Sequence, residues 1–168
     1  MYKATGSLVL AAVAAGSLPL LSTPAQAAPQ AKNPYTHTRL ERVWAPGNCL
    51  SMGGSRKNNA RLVLAKCAKA YKTQRWTLKR VSKNKSVFTI KNDKSGKCLV
   101  VGAKSRLVQS TCNSAKKSHQ WALSGSKIYS KSKGKVIASK STKAGSHPYL
   151  EKSSGSNKAR GRQEWGLS

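Results

Sequence analysis

Few side chains in this sequence could run a reaction, and their spacing argues against one. The acids are Glu41, Asp93, Glu151 and Glu164, and the histidines are His37, His119 and His147. Two carboxylates flanking one bond would hydrolyse a glycoside, but these four are scattered singly along the chain. Serine is abundant, yet no Gly-x-Ser-x-Gly turn is present to raise a nucleophile. Each acid reads instead as a lone counter-charge among lysines, a surface pairing that contributes about 0–1 kcal/mol. No catalytic residue is expected, and no cofactor.

The four cysteines, Cys49, Cys67, Cys98 and Cys112, carry a different chemistry. Zinc would need closely spaced Cys-x-x-Cys pairs, which are absent, so no metal site is expected. An even count in a secreted chain reads as disulfides. Secretion is itself an expectation from residues 1–27. Lys3 precedes an apolar run from Leu8 to Leu21, and Ala25-Gln26-Ala27 offers a signal-peptidase pattern. Nothing later in the chain is long and apolar enough for a spanning helix. Loss of Lys3 with that segment leaves 141 residues, enough for one domain, at a formal charge of +27 against +28 for the full chain.

Three tryptophans set the organisation. Gln74-Arg75-Trp76-Thr77-Leu78 is followed 45 residues on by His119-Gln120-Trp121-Ala122-Leu123, and 44 further by Gln163-Glu164-Trp165-Gly166-Leu167. A period of this length marks a repeated structural unit. The structural motif is therefore Gln74, Trp76, Gln120, Trp121, Gln163 and Trp165. The repeat also sorts the cysteines: Cys67 and Cys112 each stand nine residues before their tryptophan, so each pair closes within one repeat. The expected bridges are Cys49–Cys67 and Cys98–Cys112, each contributing roughly 3 kcal/mol.

These residues must be positioned by short strands. Turn clusters such as Pro46-Gly47-Asn48 and Gly53-Gly54 break the first repeat into strands over 40–44, 49–52, 61–67 and 74–78. The second repeats this over 86–91, 97–101, 106–112 and 120–123. The third does so over 127–130, 135–139, 148–152 and 163–167, with Val136 in the place of Cys49 and Cys98. No stretch keeps a 3.6-residue period between helix caps, so the fold class is all-β. Twelve strands in three repeats would close as a barrel capped by hairpins, leaving few exposed edges. Residues 28–37 read as a flexible lead-in and 38–168 as the domain.

Three Gln-x-Trp-like signatures, with cysteine pairs inside the first two repeats, resemble the ricin-B-type β-trefoil of R-type lectins and of carbohydrate-binding modules in secreted bacterial enzymes. The resemblance spans about residues 38–168. It implies that the tryptophans, and the leucines two places on, pack around a pseudo-threefold axis, with glutamine and tryptophan mainly structural. It also implies a sugar pocket in each repeat. An acid two places after the first cysteine accepts bonds from sugar hydroxyls. An aromatic ring two places before the second cysteine stacks on the sugar, and polar residues before the tryptophan complete the pocket.

Carried onto this chain, the acidic place holds Ser51, Val100 and Ala138. The stacking place holds Ala65, Ser110 and, in the third repeat, Lys152 or Ser153. Only the polar pairs remain: Thr73 and Gln74, Ser118 and His119, Arg162 and Gln163. Ser51 joins these six as the candidate ligand-binding residues. Cations crowd the same loops: Arg56, Lys57 and Arg61; Lys66, Lys69, Lys72 and Arg75; Lys116, Lys117 and His119; Lys152, Lys158, Arg160 and Arg162. Lys127, Tyr129, Lys131, Lys133 and Lys135 alternate, and would share a face if extended.

The function expected is a secreted, monomeric, non-catalytic glycan-binding module that favours acidic polysaccharides or cell-wall polymers. Two other readings stand beside it. One is a polyanion or nucleic-acid binder without sugar specificity, acting by counterion release. The other is a toxin-like or inhibitory protein using the trefoil as a scaffold. No recognition helix, zinc finger or RNA-binding signature supports base-specific reading.

Overall fold

A computed structural model describes residues 35–81 and 86–168. The expected signal segment and residues 28–34 of the lead-in lie outside the described residues. The first repeat supplies β1 (Thr38–Arg42), β2 (Asn48–Ser51), β3 (Val63–Lys66) and β4 (Arg75–Arg80). The second supplies β5 (Val87–Asn92), β6 (Cys98–Val101), β7 (Leu107–Ser110) and β8 (Trp121–Ser124). The third supplies β9 (Lys127–Ser130), β10 (Val136–Ala138), β11 (Tyr149–Glu151) and β12 (Trp165–Leu167). Each falls on an expected strand, trimmed or shifted by a residue or two.

The pairing repeats as the strands do. The first strand of each repeat meets the fourth: β1 with β4, and β5 with β8. At the third junction the Trp165 amide donates to the Ser126 carbonyl at 2.7 Å. The fourth strand then runs antiparallel to the next repeat's first: β4 with β5, β8 with β9, and β12 back to β1. That closes a six-stranded ring. The remaining strands pair as three hairpins, β2–β3, β6–β7 and β10–β11.

Alternation along the strands makes the core. In β1, Thr38, Leu40 and Arg42 are buried and their neighbours are not. Leu40, Leu50, Leu64, Ile90, Leu99, Trp76, Trp121 and Ile137 are all fully buried in one cluster, with Trp165 at 2% exposure. Each motif indole donates Nε1–H to a carbonyl of its own hairpin: Leu50 at 3.2 Å, Leu99 at 2.9 Å and Ile137 at 2.9 Å. The ring is thus buried with its one polar atom satisfied. Both disulfides form as expected, Cys49–Cys67 and Cys98–Cys112.

Four features depart from expectation. A short helix, α1 (Asn157–Gln163), occupies the long last loop of the third repeat, where the first two have single 3-10 turns at Lys72–Gln74 and Lys117–His119. Ser156 caps it by accepting from the Ala159 amide, and Arg160 and Arg162 sit in its last turn near the negative end of its dipole. Its signal was a serine cap without a long apolar period. Second, the leucines after the tryptophans are not equivalent: Leu78 is buried and Leu123 partly so, but Leu167 is 41% exposed. Third, the lysine run 127–135 does not share a face, because the chain reverses after Ser130; the Gly134 amide donates to the Ser130 carbonyl at 2.8 Å. Fourth, Tyr35, in the stretch read as a flexible lead-in, packs edge-on against Phe88, with centroids 5.6 Å apart.

Candidate functional site

Strand register fixes which residues are equivalent. Cys49, Cys98 and Val136 lie opposite Ala65, Ser110 and Glu151. The third-repeat stacking place is therefore Glu151, not Lys152 or Ser153, because the third repeat has no cysteine to mark the register. Ser51, Val100 and Ala138 occupy the acidic place, and all three are buried. Ser51 turns its hydroxyl to the Gly53 amide at 3.1 Å. None can offer a carboxylate to a sugar.

The motif glutamines are committed internally. Gln74 donates to the Lys66 carbonyl at 2.7 Å and accepts from the Ala68 amide at 2.8 Å. Gln163 makes the matching pair, donating to Lys152 O at 2.8 Å and accepting from Ser154 N at 3.1 Å. In the second repeat this clasp is not made by Gln120. His119 makes it: the Asn113 amide donates to its Nδ1 at 3.3 Å. Gln120 sits one place on, with its amide on the Ser114 carbonyl at 2.8 Å. Of the seven candidate ligand residues, Gln74, His119 and Gln163 are buried clasps, Ser51 is buried with its hydroxyl on the Gly53 amide, and Thr73, Ser118 and Arg162 remain partly accessible.

His119 is consequently not one of the surface cations. Burial, and then the charge of Lys116, push its pKa below the ordinary imidazole value. A neutral ring with Nδ1 as acceptor carries its proton on Nε2. The unfolded chain takes up a proton near pH 6.5 while the folded ring resists it, so stability is full above that pH and falls as pH drops below it. His119→Gln, which restores the clasp of the other two repeats, is expected to flatten that slope. Denaturant unfolding of both proteins at several pH values below neutrality checks this.

The third repeat holds a pair that the sequence reading missed. Tyr149 and Glu151 lie two apart on one strand, hence on one face. The Tyr149 hydroxyl donates to Glu151 Oε2 at 3.2 Å, and Lys140 Nζ stands 5.7 Å from the ring centre. Glu151 Oε1 accepts from Gln163 at 2.8 Å and from Arg162 at 3.2 Å. Burial alone would raise this carboxyl's pKa; the hydrogen bonds from Gln163, Arg162 and Tyr149, with the Arg162 charge, hold it below the usual value.

The other carboxylates are also engaged. Asp93 takes His37 Nδ1 at 2.7 Å and the Thr77 hydroxyl at 2.9 Å. Glu164 takes Arg160 at 2.8 Å and the Trp44 indole at 2.6 Å, which together lower its pKa. Glu41 takes the Gly47 amide at 2.6 Å. Arg160 and Arg162 are thereby paired. Arg56, Lys57, Arg61, Lys66, Lys69, Lys72, Lys116, Lys117, Lys152 and Lys158 stay exposed, with no carboxylate partner among the described residues. The largest exposed aromatics are Tyr71 at 61% and Trp44 at 57%.

Comparison with known proteins agrees with this architecture. A designed threefold-symmetric protein, ThreeFoil, superposes with a TM-score of 0.67 at 20% identity, over 78% of this chain and 96% of that one. The β-trefoil lectin of the Vibrio vulnificus hemolysin/cytolysin, solved with N-acetyl-D-lactosamine bound, gives 0.62 at 17% identity, over 81% and 96%. The C-half of an earthworm R-type lectin in complex with GalNAc gives 0.60 at 14%, over 79% and 97%. No curated protein sequence matches the chain. The profile of the ricin-type β-trefoil lectin domain matches residues 36–165. With its three clasped tryptophans and twelve strands, this chain belongs to the ricin-type β-trefoil lectin family.

Proposed function

We propose that this domain is a secreted, non-catalytic lectin that binds acidic glycans through its lysine-rich loops. The observation that carries the reading is the state of the four carboxylates. Each accepts hydrogen bonds within the protein, while a large excess of lysine and arginine remains in solvent. Such a surface holds anionic polymers and steers them electrostatically. Family membership favours a sugar ligand over other polyanions. The engaged carboxylates also speak against acid–base catalysis, which needs a carboxyl free to exchange a proton with substrate. The two disulfides suit an oxidising compartment, in keeping with a signal peptide over residues 1–27. No helix among the described residues is long and apolar enough to cross a membrane.

A glycan array read at about 50 mM and about 300 mM salt tests the proposal. Selective binding of uronic or sulfated glycans, weakened at the higher salt, is the expected result. Equal binding to every polyanion, nucleic acid included, would leave only the electrostatic reading. Binding to neutral glycans alone would overturn the acidic preference.

A further inference from the structure

The three junctions between repeats are equivalent in backbone but not in side chains. The Asp93 amide donates to Arg75 O at 3.0 Å, the Lys131 amide to Gln120 O at 3.0 Å and the Val43 amide to Glu164 O at 3.1 Å. Each bond joins the turn after one repeat's first strand to the entry of another's fourth strand. On the fourth-strand side, three places before the clasp residue, stand Tyr71, Lys116 and Arg160. On the turn side, one place past the bonded amide, stand Lys94, Ser132 and Trp44.

Two of the three junctions thus face an aromatic against a cation, with the roles exchanged. At the third, the pair is closed on itself. The Arg160 guanidinium lies 5.3 Å from the Trp44 ring centre, and Glu164 bonds both side chains. At the first, the pair is open. Tyr71 is 61% exposed, and no described residue stacks on its ring. A groove of about 420 Å³ runs beside it, lined by Arg56, Tyr71, Lys72, Thr73, Asp93 and Lys94. That lies within the size range of small-ligand sites. Asp93 forms part of the lining with both oxygens already bonded, to His37 and to Thr77. Arg56, Lys72 and Lys94 therefore line the groove together with the exposed Tyr71.

We propose that this groove between the first and second repeats binds one carboxylated sugar ring of an acidic glycan. The C–H face of the ring would lie on Tyr71, its carboxylate would meet Arg56, Lys72 and Lys94, and the Thr73 hydroxyl would bond a sugar hydroxyl. The site differs from the per-repeat pocket that the family resemblance implied. It draws on two repeats, and its stacking ring precedes the tryptophan by five residues instead of preceding the second cysteine by two. The inference rests on the glycan reading and gives it a place.

The test uses an oligogalacturonate tetrasaccharide, its methyl ester as the uncharged counterpart, and oligothymidylate. All are titrated calorimetrically against the wild-type domain and three variants: Tyr71→Ala, Tyr71→Phe and Trp44→Ala. Tyr71→Ala is expected to weaken oligogalacturonate binding about two- to tenfold, the range for one aromatic contact. Tyr71→Phe and Trp44→Ala should bind as the wild type, and the ester should bind poorly to all. Wild-type binding that Tyr71→Ala leaves unchanged would overturn the groove while sparing the glycan reading. Failure of the wild type to bind either tetrasaccharide would overturn both. A Tyr71→Ala loss confined to oligothymidylate would also overturn it, assigning the groove to nucleic acid.

Discussion

Trp121→Ala is expected to destabilise the domain by about 3–5 kcal/mol, the cost of emptying a fully buried indole site. Trp121 has no exposed surface, and its Nε1–H is the hydrogen-bond donor to Leu99 O at 2.9 Å. The substitution removes packing from the centre of the core and leaves that carbonyl without its indole partner. Trp121→Phe is the smaller change, since it keeps a six-membered ring in the core and loses the fused pyrrole with its donor. It should cost about 1–3 kcal/mol, and urea midpoints for the two variants measure the difference. Equal effects at Trp76 and Trp165 are expected, because all three indoles are buried and bonded in the same way.

The second large effect belongs to the disulfides. Removing Cys98–Cys112 by the double change Cys98→Ala and Cys112→Ala should cost roughly 3 kcal/mol, since the bridge closes a loop with a separation of 14. For a domain of this size that is a fall in Tm of roughly 10 °C. The third repeat shows what replaces a bridge. Val136 occupies the first cysteine's place and is fully buried, while the chain at Ser154 is held by the Gln163 clasp. The same clasp operates beside both disulfides, so the double variant should still fold, with a lower midpoint and an unchanged set of strands. Calorimetry and circular dichroism on the one sample check both statements.

The strands and bridges were legible because they follow from local rules repeated three times. Trp76, Trp121 and Trp165 announce the period, and the cysteine spacing follows it. What escaped was whatever broke the repeat. Helix α1 lies in a loop that is longer in the third repeat than in the other two, and it is too short to show an apolar period. His119 reads as a cation in sequence, and only its burial against the chain after Cys112 shows it to be a neutral clasp. Tyr149 and Glu151 carry no such mark, because their places are counted from cysteines that the third repeat lacks. Tyr71 and Lys94 come from different repeats, 23 positions apart, and no spacing rule links them. The legible part is the scaffold, and the hidden part is where the side chains depart from threefold symmetry.

Whether surface cations hold the ligand is read from the salt dependence of affinity for the acidic glycan that an array selects. If surface cations do the holding, the logarithm of the association constant should fall linearly with the logarithm of salt concentration, with a slope set by the number of ions released. A steep fall is expected for that glycan, with no measurable binding of its uncharged counterpart. A flat line, with the neutral sugar bound as tightly as the acidic one, would contradict that expectation.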